Sequence, residues 1–160
     1  MMHSRTVIRR FKPEDAAALF EVYYSAIHLV ACKDYSPEQI QAWAPENLDR
    51  SLWQQHLQQL KPFVAEQHGE IVGYADLQAS GYIDHFFVSG KHGQKGIGSQ
   101  LMTHILAEAK TLGLTELTSD VSRTAQPFYA KFGFVIVEQR YPVLRGVIIP
   151  NALMELSLES

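Results

Sequence analysis

Val88-Ser89-Gly90-Lys91-His92-Gly93-Gln94-Lys95-Gly96-Ile97-Gly98-Ser99 is the stretch on which the reading of this chain turns. Four glycines fall within the nine residues from Gly90 to Gly98, with Lys91 and Lys95 among them. Tyr82-Ile83-Asp84-His85-Phe86-Phe87-Val88, just before it, has strand character. Just after it, Ile97, Leu101, Ile105, Ala109 and Leu112 recur at helical spacing. That pattern predicts an amphipathic helix from Gly96 to Leu112, ended by Gly113 as a C-cap. Such a junction presents unpaired backbone N–H groups at the positive end of a helix dipole. Glycines let the backbone curl and approach a phosphate without side-chain obstruction, and the lysines add positive charge. Anion binding accounts for this composition better than a loop whose glycines only turn the chain.

Two familiar phosphate motifs do not fit. A P-loop needs Gly-Lys-Ser/Thr, and no glycine here is followed by Lys-Ser or Lys-Thr. A dinucleotide fingerprint needs a third glycine where Leu101 stands, and its turn is tighter than the loop after Val88. Asp120 does lie about 20 residues further on at a strand end, so a dinucleotide-binding oxidoreductase stays open as a minor reading.

Working outward from this junction, Thr6-Val7-Ile8-Arg9 is a short strand, and Pro13 opens a helix carrying Ala17, Leu19, Phe20, Tyr23, Tyr24 and Ile27. Ser36-Pro37-Glu38-Gln39 is a capping box for a second helix that ends near Trp43 and Pro45. A third helix runs from about Leu48 to Leu60, with Leu52, Trp53, His56, Leu57 and Leu60 on one face. Strands at 63–66 and 71–77 form a hairpin over the turn 67–70, and with the strand 82–88 they suggest an antiparallel meander. Beyond the glycine junction come a strand at 116–121, a short helix at 125–132 stopped by Gly133, and strands at 134–138 and 146–158, the last interrupted near Pro150. The fold class is α/β with a mixed sheet.

Bulk properties narrow the function. The chain has 160 residues, the size of one domain, and no linker or repeat divides it. A formal net charge of -3 argues against a general nucleic-acid binder. Cys32 is the single cysteine, so no internal disulfide forms. No apolar run is long enough to span a membrane and no apolar signal core follows Met1, so a cytoplasmic protein is expected. The seven histidines include no His-x-x-x-His pair and no Cys-His cluster, so no metal is expected, with His85 and His92 not read as ligands.

Gly93-Gln94-Lys95-Gly96-Ile97-Gly98 resembles the acetyl-coenzyme A motif, Arg/Gln-x-x-Gly-x-Gly/Ala, of the GCN5-related N-acetyltransferase (GNAT) family. Ala125-Gln126-Pro127-Phe128-Tyr129-Ala130-Lys131-Phe132-Gly133-Phe134 resembles that family's second signature, a short helix with Phe-Tyr that ends in Gly-Phe. The two lie about thirty residues apart with a strand between them, as in the family. One departure is that Gly93 occupies the Arg/Gln position and Gln94 follows it.

The resemblance implies one domain over residues 1–160, with a mixed, mostly antiparallel sheet of about seven strands splayed in the middle and flanked by four to five helices. It implies acetyl-coenzyme A as cofactor and direct transfer of acetyl to an amine acceptor, expected to be a small molecule. Pyrophosphate would sit on Gly93, Gln94, Lys95, Gly96, Ile97, Gly98 and Ser99, where the helix end makes a metal unnecessary. The pantetheine arm would pair with backbone near Phe87 and Val88, alongside Ser122, Ala125 and Phe128. Ser122 has a competing reading as a cap for the helix at Ala125.

Tyr129 matches the family's general-acid tyrosine. Asp84 and His85 are candidates for the base that neutralises the amine, with His85 ranked first on its reference pKa of about 6.5. His28, Tyr35, Trp43 and Phe86 are candidates for the acceptor pocket. A non-catalytic coenzyme A sensor would share the glycine turn but need neither Tyr129 nor a base. Val147-Ile148-Ile149 is a candidate edge for a homodimer.

Overall fold

The computed structural model describes residues 6–92 and 96–159. Its sheet system begins with β1 (Thr6–Arg10), which pairs antiparallel with β2 (Phe63–Gln67), itself paired with β3 (Glu70–Ala75). His68 and Gly69 form the β2–β3 turn, both with positive φ (54° and 77°). That is the two-residue turn whose twist matches flanking strands, so the hairpin is tighter than the four-residue turn expected from sequence.

The segment 82–88 is not one strand. It splits into β4 (Tyr82–Ile83) and β5 (Phe86–Val88), and the two halves belong to different sheets. β5 closes the order β1-β2-β3-β5, whereas β4 opens the order β4-β6-β10-β7. Here β6 is Glu116–Ser122, β7 is Val135–Arg140 and β10 is Asn151–Ser157. β4 runs parallel to β6 at Tyr82↔Thr118 and Ile83↔Ser119, and the pairing then stops. From Asp84 onward the chain leaves β6 and joins β3, which opens the splay.

The break is held by a buried carboxylate. Asp76, fully buried, accepts the backbone N–H of Asp84 at 2.8 Å and of His85 at 2.7 Å on one oxygen. Its own N–H donates to the His85 carbonyl at 3.1 Å. Two main-chain donors that lost ladder partners are thereby satisfied.

Helices cover both faces. On one side lie α1 (Ala16–Ser25), α2 (Pro37–Trp43) and α3 (Arg50–Leu60), whose Leu19, Phe20, Ile40, Trp53 and Leu57 pack with Val64 and Tyr74 of the sheet. On the other lie α4 (Ile97–Thr111) and α5 (Gln126–Lys131), where Ile97, Leu101, Ile105 and Tyr129 pack with Ala65, Ala75, Leu117 and Met154. The alternation Val64/Ala65 and Tyr74/Ala75 is the period-two pattern of a sheet buried on both faces.

The capping box at Ser36 and Gln39 forms as expected: the Ser36 hydroxyl accepts the Gln39 N–H, and the Gln39 side chain accepts the Ser36 N–H. Asp49 caps α3 through the N–H groups of Ser51 and Leu52. Two helix-face expectations need correction. Leu52 is 62% exposed because it lies in the first turn of α3, off the Trp53–Leu57 stripe. Leu112 is 53% exposed because it stands just beyond α4.

The first helix is longer than its apolar pattern. A single 3₁₀ turn (Pro13–Asp15) leads into α1, and a π-helical turn (Ala26–Val30) and a second 3₁₀ turn (Ala31–Lys33) follow it. Near the C-terminus, the expected strand from Gly146 onward is instead a small hairpin of β8 (Val143–Leu144) and β9 (Val147–Ile148), followed by β10. Ile149 is buried, β9 pairs with β8 in a separate two-stranded sheet, and β7 is an outer strand of the sheet β4-β6-β10-β7. No helix among the described residues is long and apolar enough to cross a membrane.

Candidate active site

Separation of β5 from β6 leaves a cleft of about 530 Å³ between the two sheets. Its walls are Phe86, Phe87 and Val88 of β5, Gly96, Ile97, Gly98 and Ser99 at the start of α4, and Ser122, Ala125, Phe128 and Tyr129 from β6 to α5. Apart from Phe86, expected in the acceptor pocket, these are the sequence-derived cofactor residues, brought together from four separate elements. Gly93, Gln94 and Lys95 fall outside the described residues.

Backbone chemistry explains what this cleft offers. β5 pairs with β3 on one side only, so its other edge turns unpaired N–H and C=O groups toward the gap. At the start of α4, Gly96 is the N-cap with φ +76°, a conformation L side chains rarely adopt. The Gln100 N–H donates to the Gly96 carbonyl, leaving the N–H groups of the first turn without helical acceptors. At Gly98 a Cβ would stand 3.3 Å from the Phe128 ring, so glycine lets α4 approach α5. The π-helical turn after α1 puts Ala26, Ile27 and Val30 on the opposite wall, joined by Ala31.

Tyr129 is 3% exposed and lies edge-on to Phe86 and Phe134. Burial raises its hydroxyl above the ordinary tyrosine value; contact with Ser119 opposes the shift, and the charge of Asp76 adds to it. The group is protonated at neutral pH and able to donate.

A second cavity of about 330 Å³ adjoins the first. Trp43, Phe87 and Ser122 wall both. Tyr23, Tyr35, Tyr82, Asp84, His85 and Asp120 line the second, together with Pro142, Val143 and Leu144 of the hairpin region. The hydroxyl of Tyr35 donates to the Pro150 carbonyl and accepts the Arg123 N–H at 2.9 Å, which fixes its ring against Trp43. The carboxylate of Asp120 accepts from the Tyr82 hydroxyl (2.7 Å) and from Arg140 (2.8 Å).

Three expectations change here. His28 lines neither cavity: its ring stacks on Tyr24 at 3.8 Å and its Nε2 meets the Ala44 carbonyl at 2.7 Å, so it holds helices together. Phe86 walls the cofactor-side cleft, and Phe87 walls both cavities. His85 loses the basis for its rank as base. Burial, and then the neighbouring His56, push its ring down to about 3, so it is neutral at working pH and a weak proton acceptor. Asp84 moves the other way: burial raises its carboxyl, His56 opposes the shift and Asp120 adds to it.

His56 is the residue that sequence reading missed. The helical spacing places it on a face of α3 and no more, yet its Nε2 lies 3.3 Å from His85 Nε2 and 3.6 Å from Asp84 Oδ2. The available signal was its place one turn after Trp53, on the side of α3 that packs toward the sheet. Nothing along the chain tied it to Asp84, 28 positions away.

An open-edged strand, a helix start and a buried tyrosine around one splayed cleft define a coenzyme A-type acyltransferase architecture, and sequence comparison agrees. The family described as "Acetyltransferase (GNAT) domain" matches residues 31–147, and the chain belongs to the GCN5-related N-acetyltransferases and is an acetyltransferase of that class. It is 33% identical over 147 residues to the "Uncharacterized N-acetyltransferase YafP" of Escherichia coli (strain K12), covering 92% of this chain and 93% of that protein. Among solved structures it resembles a GCN5-related N-acetyltransferase from Rhodopseudomonas palustris, described as "Aminotransferase, Class-II" (TM-score 0.92, 30% identity, 99% of each chain). It shares the fold of the PaiA N-acetyltransferase from Thermoplasma acidophilum, solved with coenzyme A (TM-score 0.74, 20% identity, 96% of this chain and 99% of that one). The dinucleotide reading falls on topology too. The strand before α4 is antiparallel to its neighbour β3, where a dinucleotide fold needs a parallel βαβ unit.

Proposed function

We propose that the larger cleft holds acetyl-coenzyme A and the smaller cavity holds the amine acceptor, a small molecule. One observation carries this: two cavities from different elements meet at Trp43, Phe87 and Ser122, with Tyr129 on one side and Asp84 on the other. Pyrophosphate rests on the free N–H groups of Ile97, Gly98 and Ser99, where the helix end supplies a positive field. The pantetheine amides pair with the open edge of Phe86–Val88, and the same backbone supplies N–H donors to the oxyanion of the tetrahedral intermediate.

The acceptor enters as an ammonium and must lose a proton before attacking the thioester carbonyl. Asp84 takes that proton in the acceptor cavity. His56, with 43% of its side chain exposed, places its Nε2 3.6 Å from that carboxylate. His85 stays neutral and keeps the pair aligned through its own contacts. The amine nitrogen then bonds to the acetyl carbon and releases its second proton to water, the C–S bond breaks, and Tyr129 gives its proton to the departing thiolate and regains one from water through the cleft.

Purified protein is tested by calorimetry with acetyl-coenzyme A and with NADH, followed by thiol release against a panel of amines. Binding of acetyl-coenzyme A alone, with thiol release that depends on an amine, supports the assignment. Affinity without turnover on any amine would favour a coenzyme A sensor.

A further inference from the structure

Asp84 and His85 on the wall of the acceptor cavity, with His56 of α3 beside them, offer three donor atoms arranged as a metal-ligand set. His56 Nε2 lies 3.3 Å from His85 Nε2 and 3.6 Å from Asp84 Oδ2, and all three atoms fall within 4.8 Å of one another. A tetrahedral ion with bonds of about 2.0–2.1 Å to nitrogen holds its ligands about 3.3 Å apart. Two of the measured separations therefore already lie close to the edges of such a tetrahedron.

The scaffold around these atoms has the features of a built site. His85 uses Nδ1 in a 2.9 Å hydrogen bond with the Tyr74 hydroxyl, so Nε2 is the nitrogen turned to the cluster. A partner on the remote ring nitrogen is what orients metal-binding histidines. Asp76 pins the backbone of both Asp84 and His85, and His56 stands on α3, a helix capped by Asp49. No Arg or Lys ion pair engages Asp84 among the described residues; its recorded partner is His56. Because Asp84 and His85 line the acceptor cavity, a fourth position faces that space.

Two imidazoles and one carboxylate suit a borderline-soft ion better than magnesium or calcium, which favour oxygen ligands. We propose that His56, Asp84 and His85 form a zinc-binding site that shares the acceptor cavity, and that a bound zinc ion blocks acetyl transfer by occupying Asp84 and excluding the amine. The inhibitory half rests on the acceptor reading given above; the binding half does not.

Chelator-stripped full-length protein is titrated with zinc against a chromogenic zinc indicator, without cofactor or amine. Wild type is expected to take up one equivalent at concentrations of about 10 μM or below. His56→Ala and Asp84→Asn should each weaken uptake at least about tenfold, while His104→Ala, on α4, leaves it unchanged. His56 is partly exposed on a helix, and circular dichroism confirms that its variant folds. Absence of uptake by wild type at about 100 μM overturns the site, and so does uptake by His56→Ala equal to wild type. Both results stand whatever the protein's activity. In the thiol-release assay, zinc should inhibit wild type and lose potency against His56→Ala in the same ratio as its affinity. Zinc bound with turnover unchanged would overturn the inhibitory role.

Discussion

The buried carboxylate of Asp76 receives the main-chain N–H of His85 at 2.7 Å, and this contact sets where the central segment crosses from one sheet to the other. The same oxygen accepts from Asp84, so one side chain satisfies two buried donors. Asp76→Ala strands both and should cost about 2–4 kcal/mol, taking each as a lost hydrogen bond in a buried setting. Asp76→Asn keeps an acceptor oxygen and should cost less than half as much. Urea unfolding followed by tryptophan fluorescence checks both, and equal losses would show that charge rather than hydrogen bonding holds the break.

Tyr129→Phe removes the proton offered to the leaving thiolate while keeping the ring that packs against Phe86 and Phe134. Turnover should fall about a hundredfold or more, the usual scale of general-acid catalysis, with coenzyme A affinity unchanged. Thiol-release kinetics and calorimetry together test this; wild-type turnover in the variant would remove Tyr129 from the mechanism.

Gly98→Ala places a methyl group 3.3 Å from the Phe128 ring at the start of α4. Displacement of that ring intrudes on the cofactor cleft, so affinity for coenzyme A should drop about tenfold, equivalent to about 1.4 kcal/mol. Gly96→Ala meets no atom within 4 Å but must adopt φ near +76°, so its penalty should appear in stability more than in affinity. Comparing melting temperature with coenzyme A affinity for the two variants separates these effects.

Asp15 anchors the N-terminal turn. Burial alone would raise its carboxyl, but hydrogen bonds from Arg9 and the Lys12 N–H, with the charge of Arg9, outweigh burial and hold it below the ordinary carboxylate value. A carboxyl depressed in the folded state stabilises the protein above its unfolded pKa, near 4. That contribution is lost as pH falls through the lower folded value. Between pH 6 and pH 3 the wild type should therefore lose up to about 1 kcal/mol more stability than Asp15→Asn. Denaturant titrations at the two pH values measure the difference, and parallel losses in both proteins would count against this pair.

Much of the cofactor side was legible in the sequence because it is built from local features. Glycines before a helix, a capping box at Ser36 and the Phe-Tyr pair of α5 each act over a few residues, where periodicity and turn chemistry speak directly. The acceptor side depends on distant parts of the chain. His56 approaches Asp84 only because α3 packs beside the split strand, and Asp76 reads as an ordinary strand residue until β4 and β5 part. The split was hidden because Tyr82 to Val88 is continuously strand-like in composition. What divides it is the end of pairing to β6, a tertiary fact. His28 misled for a related reason: position along the first helix does not say which way a ring faces, and this one stacks on Tyr24.

Trp43, Phe87 and Ser122 are common to both cavities, so under the proposed assignment the reactive ends of donor and acceptor would meet at that junction. Recognition on one side can then be re-engineered alone: exchanging Pro142, Val143 and Leu144 should alter which nucleophile is chosen while leaving the donor's grip as it was.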